Sequence, residues 1–240
     1  MTNKLLTIPN VVTLANLACG CAATVAALDG RFETVFWLLV AAAVFDFGDG
    51  AVARLTGQYS AVGRELDSLA DLVSFGVAPS AVMFAAWEGA PRLWAGLPVE
   101  SGWAVFAVAL FSALRLAKFN VDEGQKEEFT GLPTPAAGLA IASLGWMVSR
   151  GMIDPPREVI LILVAVVSLL LVCPLRMFSL KFKTLGWRGN ELRWLFLACA
   201  AACVATMRAG GVAAAVGIYI VASAVRAVAR APKSGKITKF

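Results

Sequence analysis

Four aspartates, Asp46, Asp49, Asp67 and Asp71, stand in the stretch DFGDGAVARLTGQYSAVGRELDSLAD, between the apolar runs FWLLVAAAVF and LVSFGVAPSAVMFAAW. Asp46 and Asp49 are three apart and Asp67 and Asp71 four apart, so each pair falls on one face of a helix. The connecting GQYSAVG lets the two helices run antiparallel, so that the pairs converge. Carboxylates crowded together in a low dielectric repel strongly. They either keep their protons or take cations between them. Oxygen ligands without His or Cys favour hard ions, Mg²⁺, Mn²⁺ or Ca²⁺. Two such ions bridged by shared carboxylates suit phosphoryl transfer, where they hold a diphosphate and offset developing charge. Gly48, Gly50, Ala51 and Ala53 leave the helix nearly bare beside the acids. Glycine in a helix interior costs about 1 kcal/mol relative to alanine, so close approach of a bulky ligand or of another helix is the compensating gain. Arg54, one turn beyond Gly50, can bond a phosphate through two parallel N–H groups. A plainer reading stays open: acids inside a membrane also line ion paths or pair with basic residues.

The elements that carry these residues are apolar helices. Of the 240 residues 59% are hydrophobic and only 15% charged, where a soluble domain is nearer half and a quarter. Apolar runs of about 18 residues or more, each able to cross a bilayer core of roughly 30 Å, account for the excess. The composition predicts an all-α, polytopic membrane bundle. About eight spans are expected, over roughly 11–28, 32–54, 66–87, 103–120, 135–150, 158–174, 192–207 and 211–229. The first is read as an uncleaved span and not as a signal peptide. No second domain and no internal repeat emerges, so residues 1–240 read as one membrane domain, with a catalytic core over about 8–140 and further spans over about 158–229. There is no histidine, hence no imidazole base or ligand. The five cysteines lie in or beside apolar segments and read as small hydrophobes.

The net charge of +5 is placed in a way that argues against nucleic acid. With eight spans and a cytoplasmic N-terminus, 16 of the 21 Lys and Arg fall on the cytoplasmic side, and Arg31, Arg92, Arg150, Arg157 and Arg208 on the other. That asymmetry predicts an even number of spans, both termini in the cytoplasm, and the aspartates toward that face. The positives then meet an anionic leaflet of membrane lipids.

The pattern Asp46-x₂-Asp49-Gly50-x₂-Ala53-Arg54-x₈-Gly63-x₃-Asp67-x₃-Asp71 resembles the signature of the CDP-alcohol phosphotransferase family at every fixed position. Members are integral membrane enzymes that displace CMP from a CDP-linked lipid or alcohol with an alcohol acceptor. The resemblance implies that Asp46, Asp49 and Asp67 bind one divalent ion and that Asp46, Asp67 and Asp71 bind or approach a second. The pair would be Mg²⁺ or Mn²⁺, with Ca²⁺ able to occupy the site. It implies Asp71 as the base for the acceptor hydroxyl, room for the nucleotide at Gly50, Ala53 and Gly63, and phosphate contacts from Arg54 and Ser60. It implies a nucleotide contact from Pro9, Asn10, Val11, Val12 and Thr13. Ser60 and Thr13 also read as ordinary turn or cap residues. A homodimer in a bacterial inner or archaeal membrane is the family expectation.

The stretch ALRLAKFNVDEGQKEEFTGLPTPAAG, from 113 to 138, resembles the membrane-embedded branch of the family that uses CDP-diacylglycerol and L-serine. Lys118 stands where that branch has arginine, and Thr134 where it has serine. Arg115 and Lys118, at i and i+3, share a helix face. They and Asn120 are the candidate contacts for the acceptor or a phosphate; the alternative is a pair of snorkelling cations. DEGQKEE reads as a solvated loop. Glycerol 3-phosphate or an inositol phosphate is the rival acceptor, and a cation channel or transporter the rival class.

Overall fold

The computed structural model describes residues 5–121, 129–177, 186 and 190–230. Helix α1 (Ile8–Leu28) starts where the Thr7 hydroxyl accepts the Asn10 N–H and Pro9 fills a first-turn position needing no donor. It ends at Asp29-Gly30, where Gly30 takes φ +71°. The chain returns as α2 (Phe32–Thr56) and stops at Gly57 in the left-handed region. Ser60 then caps α3 (Ala61–Leu72) by accepting the Gly63 N–H at 2.9 Å. A π-helical turn, Val73–Val77, joins α3 to α4 (Ala78–Gly89) without a break in the helical run.

A 3₁₀ segment, Val99–Phe106, leads into α5 (Ala107–Val121). Helices α6 (Thr134–Ser149) and α7 (Arg157–Val172) follow. A two-residue ladder pairs β1 (Phe129–Thr130) antiparallel with β2 (Arg176–Met177), Phe129 opposite Met177. The last helices are α8 (Glu191–Met207) and α9 (Gly211–Arg230). Between them the chain reverses at Arg208, at φ 53°, which brings Gly211 against the Cys203 carbonyl.

The core is a small-residue seam. Ala23, Ala26 and Ala27 of α1 pack with Val35, Phe36 and Leu39 of α2, Ala78, Ala81 and Val82 of α4, and Ala137, Ile141 and Ala142 of α6. Large apolar side chains point outward instead, among them Trp37, Val44, Phe47, Leu110, Leu114, Ile162 and Leu169. A soluble protein rarely shows so much contiguous apolar surface; here it faces lipid, and the chain is a membrane-embedded helical bundle. The run Ala61–Gly89 is the central one. Of its most apolar window 67% is buried, against 33% or less in the other four long apolar runs.

Those runs correct the expected number of spans. Five, not eight, are long and apolar enough to cross a membrane among the described residues: Ile8–Leu28, Phe32–Thr56, Ala61–Gly89, Val99–Val121 and Glu191–Ala227. The stretches expected over 135–150 and 158–174 form helices of only 16 residues each, about 24 Å at 1.5 Å per residue. The two expected over 192–207 and 211–229 lie in one apolar run. Hydropathy counts apolar residues, but Pro133, Pro135, Pro155 and Pro156 fix where α6 and α7 begin and so cut their length. The expectation of both termini on one side rested on the number eight and goes with it. The loop 122–128, the tail 231–240 and the cations Lys4, Lys126, Lys181, Lys183, Arg188, Lys233, Lys236 and Lys239 lie outside the described residues.

The central helix is held by contacts that admit no side chain. A Cβ on Gly20 would lie 2.7 Å from Ser74 Cα and 2.8 Å from its nitrogen, and one on Gly138 would lie 2.9 Å from Phe75 Cα. Both glycines press on the π turn. Gly20→Ala is therefore expected to destabilise the protein by about 1–3 kcal/mol, the usual cost of overpacking. Thermal unfolding in detergent measures it, with Gly89→Ala as control because nothing lies near Gly89. Equal melting temperatures for both variants would contradict the packing argument.

Candidate active site

Helix α2 carries Asp46 and Asp49 and α3 carries Asp67 and Asp71. Gly57 and the Ser60 cap turn one into the other, so the pairs meet as their spacing predicts. Oxygens of Asp46, Asp49 and Asp67 all lie within 4.8 Å of one another. Asp71 stands outside that trio but within electrostatic reach of Asp46 and Asp67. No salt bridge neutralises the trio among the described residues.

Helix α1 supplies the polar floor. Its Thr13 hydroxyl lies 2.6 Å from Asp49 Oδ2 and 3.1 Å from the Pro9 carbonyl. The shorter distance is that of a charge-assisted bond to a carboxylate. Thr13 is thus more than an ordinary cap residue. Asn16 Nδ2 donates to Asp71 Oδ1 at 3.1 Å. Asn10 Nδ2 donates to the Leu5 carbonyl at 2.8 Å, and Asn10 Oδ1 is 2.9 Å from where a Cβ on Gly63 would be. A side chain at position 63 would therefore press on the tips of Asn10 and Ser60.

A cavity of about 260 Å³ opens beside the trio. Of the expected nucleotide-site residues, Pro9, Asn10, Thr13, Gly50, Ala53, Ser60 and Gly63 line it, with Asp49 and Asp67. Three expected contacts are placed differently. Val11 is exposed and Val12 lies against Gly48. Arg54 folds back along its own helix, with Nη1 3.5 Å from a Cβ built on Gly50, and does not line the cavity. Gln58, Tyr59 and Arg64 do line it and were missed. They sit in and just after the turn that follows Gly57, where neither periodicity nor a hydrophobic signal marks a side chain.

The candidate acceptor contacts divide. Arg115 Nη1 donates to Thr134 Oγ1 at 2.8 Å, joining the two ends of the 113–138 stretch. Its Nε is buried without a partner among the described residues, and the guanidinium lies within electrostatic reach of Asp71. Arg115 and Lys118 border a small recess with Phe119, Thr130, Leu171 and Val172. Asn120 turns away from them and donates to Ser68 Oγ at 3.0 Å and Glu65 Oε2 at 3.3 Å. The DEGQKEE loop lies outside the described residues.

The trio fits a divalent cation. Asp67 Oδ1 is buried and accepts no hydrogen bond among the described residues. Two like charges about 4 Å apart cost about 4 kcal/mol even at an effective dielectric constant of 20. Three carboxylates with one orphaned oxygen are a donor set of hard oxygens for a metal ion.

The geometry thus offers carboxylates, a cavity and a cation site on one side of an apolar bundle. Residues 6–172 match the CDP-alcohol phosphatidyltransferase family. The chain belongs to that family. Among individual relatives, a CDP-diacylglycerol–serine O-phosphatidyltransferase of Helicobacter pylori is 37% identical over 143 residues, covering 58% of this chain and 57% of that protein. One from Bacillus subtilis is 34% identical over 139 residues, 58% of this chain and 75% of that protein. An archaetidylserine synthase of Methanothermobacter thermautotrophicus is 33% identical over 138 residues, 57% of this chain and 56% of that protein. The match thus spans a little over half the length of two of these relatives and three quarters of the third. The Asp46, Asp49 and Asp67 cluster lies within the matched residues.

A cation that binds only the folded state raises its stability, by about 2.7 kcal/mol at a hundred times its dissociation constant. Mn²⁺ or Mg²⁺ is expected to raise the melting temperature of the wild type, and EDTA to reverse the gain. Asp67→Asn should lose most of that response. An equal metal-induced shift in Asp67→Asn would place the ion elsewhere.

Proposed function

We propose that this protein transfers the phosphatidyl group of CDP-diacylglycerol to the hydroxyl of L-serine and releases CMP. The observation that carries the reading is the carboxylate trio, with its orphaned Asp67 oxygen, at the wall of a cavity between α1, α2 and α3. Support for serine comes from the relatives, two of which are named for transfer to serine and the third for an archaetidylserine product. Further support is the partly unpaired Arg115, whose guanidinium suits a carboxylate or phosphate.

In this reading Asp46, Asp49 and Asp67 would hold one divalent ion, and Asp46, Asp67 and Asp71 would bind or approach a second. Bound there, Mg²⁺ or Mn²⁺ would offset the charge of the diphosphate and of the leaving CMP. Pro9, Asn10, Gly50, Ala53 and Gly63 would border the cytidine nucleotide, and Ser60 and Arg64 would face its phosphates. Asp71 takes the proton of the serine hydroxyl as its oxygen bonds to the lipid-side phosphorus. The bond from that phosphorus to the CMP oxygen breaks, and CMP leaves with the electron pair. A carboxylate is a weak base for an alcohol, so the proton moves late, as the new P–O bond forms. Arg115 would orient the serine carboxylate. Arg54, Arg64, Arg115 and Lys118 stand at the ends of α2, α3 and α5 nearest the aspartates, which supports placing the site toward the cytoplasm. A homodimer is part of the same reading.

The test is CMP release by purified protein with CDP-diacylglycerol and Mn²⁺, with L-serine, glycerol 3-phosphate or an inositol phosphate offered separately. Release that requires serine and metal is expected, with Asp71→Asn reducing it at least about a hundredfold, the scale of losing an acid–base group. Release only with another acceptor would keep the site and discard serine. Cation flux in liposomes with no CMP release would replace the enzyme by an ion path.

A further inference from the structure

The reaction proposed above leaves two buried polar residues beside Asp71 without a task. Asn16 and Ser74 are both fully buried. They belong to different elements, α1 and the π turn, and no polar residue is required to fill either place. Burying an amide and a hydroxyl in an apolar bundle is unfavourable unless each finds a partner. Here they find one another and Asp71.

We propose that Ser74 and Asn16 are positioning residues for Asp71, and that the π turn holds Ser74 where it sets the direction of the Asn16 amide. This rests on the reading of Asp71 as the base. The Ser74 hydroxyl lies 2.7 Å from Asn16 Oδ1 and 3.0 Å from the Asn16 carbonyl, and its single proton serves the nearer acceptor, Oδ1. An amide has one end that accepts and one that donates. With its oxygen taken by Ser74, Asn16 presents its nitrogen to Asp71 Oδ1. Among the described residues this is the one hydrogen bond that the Asp71 side chain receives. It fixes one carboxylate oxygen and leaves Oδ2 for the acceptor's proton. If the amide turned over, its oxygen would face a carboxylate, and Asp71 would swing away from that position.

The π turn is built to resist such movement. Gly20 of α1 leaves Ser74 no space to shift, Gly138 of α6 presses on the Phe75 backbone, and a Cβ on Gly76 would lie 3.1 Å from Ser112 Cβ of α5. Three helices thus clamp a five-residue segment that starts two residues after Asp71. Wide turns of this kind recur at functional sites because they move a side chain out of helical register.

Full-length protein in detergent is assayed for serine-dependent CMP release and for melting temperature. Asn16→Ala and Asn16→Asp are expected to lower kcat at least about tenfold while KM for CDP-diacylglycerol stays within about twofold, the signature of a contact that matters to the chemical step and not to donor binding. Asn16→Asp also sets a second carboxylate against Asp71, so the positioning role is read from Asn16→Ala, where a purely structural role predicts a lower melting temperature with kcat unchanged. Ser74→Ala should lower kcat by about three- to tenfold, and Asn16→Ala with Ser74→Ala should be no worse than Asn16→Ala alone, because residues acting through one another are not additive. The melting temperatures of Asn16→Ala, Asp71→Asn and their combination should likewise be non-additive, which reads the hydrogen bond without turnover. Normal kcat in Asn16→Ala, or multiplicative losses in the double variant, would overturn the proposal. Should Asn16→Ala not fold, Ser74→Ala carries the test alone, and an unchanged kcat in it overturns the proposal equally. If Asp71→Asn turns over normally, the base assignment fails and the proposal with it. If Asp71→Asn is inactive while Asn16→Ala is unimpaired, the positioning role alone fails.

Discussion

Three carboxylate oxygens held within 4.8 Å of one another inside an apolar bundle is the constraint from which the rest of this structure follows. Ionised and alone they would drive α2 and α3 apart. The fold keeps them together by covalent and steric means: a short turn with Gly57 in the left-handed region, a Ser60 cap, and an α1 that packs on both helices. Helix α1 contributes hydrogen-bond donors and no charge. Its Thr13 and Asn16 each satisfy one carboxylate oxygen without neutralising it. The unspent negative charge is what a cation would bind, so the cluster gives up stability for the sake of what it holds.

Close helix approach is the second consequence. Donors on α1 reach carboxylates on α2 and α3 only if the backbones nearly touch, and the bundle achieves this with glycine and alanine. Gly20 meets Ser74, Gly63 meets Asn10, and Ala23, Ala26 and Ala27 line the seam beyond. The large side chains are displaced outward, where lipid receives them at no cost. In a soluble protein the same arrangement would expose Trp37, Phe47 and Leu114 to water. The membrane is therefore a condition of the site's geometry, because it lets the interior be made of residues small enough for helices to close on a polar cluster.

The central part of this was legible in the sequence, for identifiable reasons. Spacings of three and four place side chains on a helix face by geometry alone, so the meeting of Asp46, Asp49 and Asp67 followed from the pattern. Gly50 and Ala53 were legible because a missing side chain beside acids makes room either for a ligand or for a neighbouring helix, whereas Gly63 came only through the family pattern. The number of spans was not, because hydropathy reports composition and not helix length. The helices α6 and α7 are apolar but only 16 residues long. The opposite courses of Arg54 and Arg115 depend on which neighbour a long side chain finds, which spacing does not encode.

Asn16 was legible in principle. Pro9, Thr13, Asn16 and Gly20 recur at intervals of three and four along α1, and all four are buried. A polar residue on the same face as Thr13, in a span otherwise free to be apolar, is a stripe facing the acids and not lipid. Ser74 was not legible. Read as α-helix, it falls three positions after Asp71 and looks like one more small residue in an apolar run. Its role depends on the wider turn at Val73–Val77, whose local sign is Pro79: that residue has no N–H, and its ring crowds the carbonyl four residues back, that of Phe75. Gly20 and Gly138 on neighbouring helices then leave the widened backbone the room it occupies. A site adjusted by a wide turn shows in sequence as the proline that follows the turn and as glycines far from the residues they accommodate.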